Sequence, residues 1–255
     1  MANSPSGESM TSRIVRIISA FDETHQSMPV AVLARRAELP LSTTHRMVKD
    51  LAGHGFLQRE PDGGVRLGLR LWELANRSSA ALGLKQIAMP YMEDIQAVVR
   101  QHTQLSVLRQ DEVLFIERLS SHGSVLNHAK VAGRLPVHVS SSGMVMMAHS
   151  PRHVQEAYLL RRNLADREEQ DLRASWTRIR LEGSASLPGA VVPDTTGIAV
   201  PVFGASGTAV AAIGVVVPTG SEHTTATVPA LMTAARGISR GLGVRADAAG
   251  PHYTR

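Results

Sequence analysis

The chain has 255 residues, room for one large domain or two modest ones, and its 43 % hydrophobic and 19 % charged residues exclude wholesale disorder. It contains no cysteine, which excludes disulfides, thiolate zinc sites and cysteine nucleophiles. The net charge of +5 is carried almost wholly by arginine, with lysine only at Lys49, Lys85 and Lys130; it eases approach to a polyanion, although a GC-rich genome gives the same bias.

Residues 1–9 are small and polar and read as a disordered arm. Residues 1–8 lack a basic start followed by an apolar run, so no signal peptide is expected. No run of ~18 apolar residues predicts a membrane span, and a cytoplasmic protein is expected. From Ser12, apolar residues recur at helical spacing: Ile14, Ile17, Ile18 and Phe21. The polar stretch 22–28 breaks the pattern, and Pro29 opens a second helix, where its missing N–H is no loss. That helix carries Val32, Leu33 and Ala37 on one side and Arg35 and Arg36 on another. Pro40 interrupts it and pushes Leu39 out of the helical region. Ser42 has the chemistry of an N-cap, opening a third helix through Gly53 with Met47, Val48 and Leu51 facing inward.

Short alternating segments at 55–59 and 65–67 flank a Pro-Asp-Gly-Gly turn and predict a β-hairpin, ended by Gly68. Residues 69–84 are helical by pattern and connect two halves of the chain. Beyond Lys85 the pattern predicts a helix at 86–101, a hairpin of 105–109 with 113–119, and a strand at 125–131. A loop at 133–136, a short apolar helix at 141–148, a helix capped by Ser150-Pro151 and a charged helix at 166–182 follow. Strands at 185–192, 197–203 and 208–217 and a last helix at 226–241 complete an α+β chain. The implied divisions are an arm at 1–9, a first domain at 10–68, a linker helix at 69–84, a second domain at 85–245 and a tail at 246–255.

Helix, break, helix and glycine-bounded hairpin is the order of a winged helix-turn-helix. A helix in the major groove must present short polar and guanidinium groups opposite its core stripe. The third helix offers Ser42, Thr43, Thr44, His45, Arg46 and Lys49, with Arg46 the first choice for a base or phosphate contact. Arg59 and Arg66 on the hairpin are placed for the backbone or minor groove, and Arg35 and Arg36 for phosphates. Residues 1–80 hold ten Lys or Arg against eight Asp or Glu, so affinity for double-stranded DNA must come from local placement rather than bulk charge. The alternatives are a solvated helix face, or a winged helix used for protein contacts.

Residues 32–57, with the Leu-Pro-Leu-Ser-Thr-Thr-His-Arg run at 39–46 and the Gly-Phe-Leu at 55–57, resemble the IclR family of bacterial regulators. The similarity continues in Gly-Arg-Leu-Pro-Val-His-Val-Ser-Ser-Ser-Gly at 133–143, in Gly-Ile-Ala-Val-Pro-Val-Phe at 197–203 and in the strand after it, and covers roughly 12–243. It implies a winged helix-turn-helix, a connecting helix and a C-terminal GAF-like effector domain with an antiparallel sheet. It further implies a homodimer or homotetramer, and a small-molecule effector, commonly a carboxylate or an aromatic catabolite. By resemblance the effector site comprises Leu135, His138, Ser140, Ser141, Ser142, Gly143 and Met144, then Asp194, Gly197, Ile198 and Ala199, then Gly214 and Val216. Three departures remove polar handles: Met144 replaces the family's lysine, Ser184 its tyrosine, and Ala190 a position that is often acidic. Backbone amides near 140–143 remain suited to a carboxylate, while Met144, Met146 and Met147 fit either adaptable pocket walls or ordinary core.

An enzymatic alternative would join His138, Ser140 or Ser142, and Asp194 as a triad. The chain has no Gly-x-Ser-x-Gly elbow and serines before a helix ordinarily cap it, so no enzyme is expected. His122, His128, His138, His149 and His153 cluster loosely, but without cysteine they give weak grounds for zinc; no metal or cofactor is expected.

Overall fold

A computed structural model describes residues 8–244 apart from 23, 79, 222 and 223. The expected tail at 246–255 and residues 1–7 of the expected arm lie outside the described residues. The chain divides into two units, Met1–Ser79 and Ala80–Arg255.

The first unit starts with α1 (Met10–Ser19), capped by Ser9, whose hydroxyl accepts from Ser12 N at 3.0 Å. Glu8 pairs with Arg16 at 3.1 Å, so positions 8 and 9 belong to the fold and not to an arm. Strand β1 (Ser27–Pro29) precedes α2 (Val30–Arg36) and α3 (Leu41–Gly53), and β2 (Leu57–Arg59) and β3 (Gly64–Leu67) form the hairpin. The expected two-stranded wing is a three-stranded antiparallel sheet, ordered β1-β3-β2. Strand β1 was missed because three residues carry no readable period; Met28 reveals it by burial opposite Val65. Ile17, Leu33, Met47, Val48, Leu57 and Val65 form the core that clamps α3 in place. Helix α4 (Leu69–Ser78) closes this unit.

In the second unit α5 (Ala80–Val99) is one helix running through Lys85, so the expected boundary between a linker at 69–84 and a helix from 86 is corrected. Strands β4 (His102–Arg109), β5 (Glu112–Ser120), β6 (Arg134–Pro136), β7 (Ala185–Pro188), β8 (Thr195–Phe203) and β9 (Ala209–Pro218) make one antiparallel sheet, ordered β6-β5-β4-β9-β8-β7. A 3-10 turn at Val137–Val139 leads to α6 (Ser141–Ala148), then α7 (Arg152–Arg162) and α8 (Asp166–Glu182), and α9 (Thr224–Gly241) ends the fold.

Side chains alternate across this sheet and divide its core in two. Leu105, Ile198, Val200 and Ile213 face α5 and α9, where Met92, Leu231 and Ile238 meet them. Phe115, Ala199 and Ala212 face α6 to α8, against Met144, Tyr158 and Trp176. The expected strand at 125–131 is instead an irregular strap. Its backbone makes no strand ladder, and several of its bonds go to side chains. Val125 O accepts from His102 Nε2 at 2.6 Å, Val125 N donates to Gln101 Oε1 at 3.0 Å, and Arg118 Nη1 donates to Ala129 O at 2.5 Å. The expected loop at 133–136 contains β6, paired with β5 through Leu135 and Val113.

Candidate functional site

Two surfaces, one on each unit, carry the residues singled out from the sequence. On the first unit α3 starts at Leu41, with Pro40 in the capping position and no side-chain cap. Ser42 is therefore inside the first turn and is not the N-cap. An uncapped first turn leaves backbone N–H groups free to meet phosphate oxygens. Ser42, His45, Arg46 and Lys49 are exposed on the outer face, and Thr43 is half-buried. Thr44 is corrected: it is wholly buried, and its hydroxyl donates to Pro40 O at 3.1 Å. It sits three residues before Met47 and four before Val48, which puts it on the core stripe.

Arg35, Arg36, Arg59 and Arg66 are exposed. Among the described residues Arg35, Arg46, Lys49 and Arg59 have no ion pair or side-chain hydrogen bond, so their charges are available to an incoming polyanion. Arg36 is already engaged: Nη2 meets Asp22 Oδ2 at 2.6 Å and Nε donates to Ala20 O at 2.8 Å. Arg66 leans on Gln58 at 3.1 Å and Glu60 at 3.5 Å across the wing.

On the second unit a partly open cleft lies between the sheet, the amino end of α6 and the strap. Leu135, Ser140, Ser141, Gly197 and Val216 of the expected set line it. Ser140 caps α6, its hydroxyl accepting from Gly143 N at 3.3 Å, so the helix brings its amino end to the cleft. Gly143 allows this close approach, since a Cβ there would come within 2.6 Å of Val137 O.

The other expected residues are not among the lining. Ile198 points to the opposite face of the sheet, as the period of two requires, and belongs to the α5–α9 core. Ala199 and Gly214 share the cleft's face, but pack on each other: a Cβ on Gly214 would meet Ala199 Cβ at 3.1 Å. Ser142, Gly143 and Met144 are buried in α6, and Met144, Met146 and Met147 are core. Asp194 is exposed at a turn whose carbonyl accepts from Thr219 N at 3.0 Å. His138 is half-buried with Nδ1 unpartnered, and burial holds its pKa below the ordinary value.

Three polar lining residues were not foreseen, Gln104, Asn127 and His128, and a fourth, Thr195, lies in the 194–199 stretch that the resemblance implied. Asn127 Oδ1 accepts from Ala129 N at 2.9 Å, and its Nδ2 is buried without a partner. Gln104 Nε2 is likewise buried and unpartnered. The sequence signal for Gln104 was a polar residue in an apolar strand, at a position whose neighbours in space no sequence pattern reveals. None of the lining residues is Lys or Arg.

The comparisons with known proteins agree with this two-unit arrangement. The family model for the IclR helix-turn-helix domain matches residues 11–61, and that for the bacterial transcriptional regulator IclR C-terminal region matches residues 77–240. An IclR homolog from Microbacterium hydrocarbonoxydans, crystallised with 4-hydroxybenzoate, is 42 % identical, covers 92 % of this chain and 99 % of its own, and superposes with a TM-score of 0.85. The Pca regulon regulatory protein of Pseudomonas putida is 25 % identical over 89 % of this chain and 81 % of its own length. The regulator XynR of Escherichia coli strain K12 is 26 % identical over 53 % of this chain, a match that spans about half of that relative, 54 %. These relatives are named as regulators and not as enzymes, in keeping with a Ser140 hydroxyl that serves as a helix cap. Among the described residues no helix is long and apolar enough to cross a membrane. With the helix-turn-helix and C-terminal matches in order along one sequence, the chain belongs to the IclR family of bacterial transcriptional regulators.

Proposed function

We propose that this protein is a ligand-responsive regulator that binds an operator through the outer face of α3 and is switched by a small organic acid held in the cleft of its second unit. The observation that carries the DNA-binding half is α3 itself: Arg46, His45 and Lys49 are exposed and unengaged on one face while Met47, Val48 and Leu51 anchor the other. Ser42 and Thr43 lie at the end nearest the bases, and Arg35, Arg59 and Arg66 flank the duplex as phosphate contacts. Thr44 has no part in this contact.

The effector reading rests on the cleft, where apolar walls from Phe115, Leu135, Leu187 and Val216 meet the amino end of α6 at Ser140 and Ser141. Helix dipole and free amides there suit a carboxylate, and the lack of a lining arginine or lysine suits a monoacid over a di- or triacid. The 42 % identical relative bound to 4-hydroxybenzoate supports an aromatic acid as the class.

Regulation requires a homodimer, or a tetramer of two such dimers, to set the spacing of paired recognition helices. Leu69 and Trp72, one helical turn apart on α4, are 67 % and 63 % exposed, an apolar pair that a second copy would cover. Ligand acts by binding one arrangement of the dimer more tightly than another, and operator DNA then alters ligand affinity by the same factor.

Fluorescence anisotropy with a DNA fragment from upstream of its own coding sequence tests this reading. Binding lost in Arg46→Ala, with an unchanged melting temperature, is the expected result. Wild-type affinity in that variant overturns the assignment of α3. An effector that leaves operator affinity unchanged overturns the coupling.

A further inference from the structure

Gln104 stands out among the cleft residues. It is 5 % exposed on β4, near the centre of the sheet, and its carboxamide nitrogen has no partner. A buried amide left unsatisfied destabilises the empty protein, and one that lines a cleft is satisfied by what enters it, ligand or ordered water.

The sheet register fixes how far Gln104 lies from the carboxylate end of the cleft. Gly197 on β8 sits beneath the start of α6, for a Cβ on it would come to 3.0 Å from Ser141 Oγ. Gly197 pairs with Val216 on β9, and Gln104 pairs with Gly214 on that same strand, two residues away. The path from Gly197 to Gln104 is thus two strands across, at about 4.8 Å each, and two residues along, at about 3.4 Å each, or about 12 Å in all. The Gln104 carboxamide and the amides at the start of α6 thus lie at opposite ends of the cleft floor. On a benzoate held by its carboxylate at α6, an oxygen para to the carboxylate reaches farthest toward Gln104, whereas an ortho oxygen stays beside the carboxylate. Val216 lies on the strand between the two ends, and Phe115, opposite Ser106 on the next strand, also lines the cleft, so its floor is apolar where the ring would rest.

Building on the effector reading above, we propose that Gln104 is the specificity-determining residue of the cleft. Its carboxamide hydrogen-bonds an oxygen substituent para to the carboxylate of a benzoate-class ligand, whose carboxylate lies at the amino end of α6. A hydroxyl both donates and accepts, so either orientation of the carboxamide serves it.

Calorimetric titration of the full-length protein with benzoate, 3-hydroxybenzoate and 4-hydroxybenzoate tests the assignment. The wild type should bind 4-hydroxybenzoate at least about tenfold more tightly than the other two, as a satisfied buried hydrogen bond implies. Gln104→Leu should lose the preference for the para hydroxyl, its affinity for 4-hydroxybenzoate falling to its affinity for benzoate. Gln104→Met serves the same purpose if the leucine variant does not fold. A para preference that survives both substitutions, or an equal loss of affinity for all three acids, overturns the proposal. Wild-type binding of the three acids without preference overturns it while leaving the effector reading standing. Failure of the wild type to bind any of them overturns the proposal together with the aromatic-acid class on which it rests.

Discussion

Arg36 holds Asp22 across the turn between the first two helices, with Nη2 2.6 Å from Oδ2, and its Nε reaches Ala20 O at 2.8 Å. Asp22 in turn receives Thr24 Oγ1 and His25 N, and these contacts, those of Thr24 first, hold its carboxyl well below the usual carboxylate range. Arg36 is thus a brace between α1 and α2, although sequence placed it with Arg35 as a phosphate contact. Arg36→Ala should lower the melting temperature of the first unit. Arg35→Ala should leave it unchanged and reduce the salt dependence of DNA binding by about one counterion. Thermal melting and anisotropy at several salt concentrations distinguish the two, and interchangeable behaviour would refute the brace.

Thr44 separates folding from recognition. Its side chain is wholly buried and makes only the bond to Pro40 O. Thr44→Val should cost about 1 kcal/mol or less and leave operator affinity within about twofold, since only a local back-bond is removed. Thr44→Arg should unfold the unit, because a charge has no partner there. A strong loss of operator affinity in a stable Thr44→Val variant would return this residue to the DNA-facing set.

Neighbouring positions on β8 should respond in opposite ways. Ile198 is fully buried on the α5–α9 face, so Ile198→Ala should destabilise the second unit by about 2–5 kcal/mol and leave ligand selectivity intact. Gly197 faces the cleft beneath Ser141, so Gly197→Val should displace the start of α6 and abolish effector binding. Chemical denaturation and titration with the same ligand check both; a selectivity change in Ile198→Ala would contradict the sheet register.

Acid should weaken the second unit. Burial above all, helped by the Arg118 charge and opposed by the hydrogen bond to Val125 O, holds the His102 imidazole below its ordinary value of 6.5. The unfolded chain takes up a proton near that value while the folded protein resists it. The histidine's contribution is therefore fully present above about pH 6.5 and is lost as pH falls toward the depressed folded value. His138 and His149, also depressed mainly by burial, act with the same sign. Melting temperature should fall from about pH 7.5 to about pH 5, and His102→Gln should flatten the fall. A rise in melting temperature on acidification would contradict the buried, neutral imidazole.

The sequence by itself determined the order of the helices, the hairpin and the main strands, the two-part organisation and the exposed cations of α3, because a 3.6-residue period, a proline break and a glycine-bounded hairpin are local signals that survive without coordinates. It also placed Ser140 and Ser141 at a helix start beside Leu135. Only the tertiary structure decided that Thr44 turns inward, that Arg36 braces a turn, that residues 125–131 form a strap, and that Ile198 and Gly197 face opposite ways. Gln104 makes the reason plain. It shares a cleft with the amino end of α6 only because β9 joins β4 to β8 in the sheet, and strand order between segments nearly a hundred residues apart is fixed by the packing of both faces at once, not by the period of any one of them.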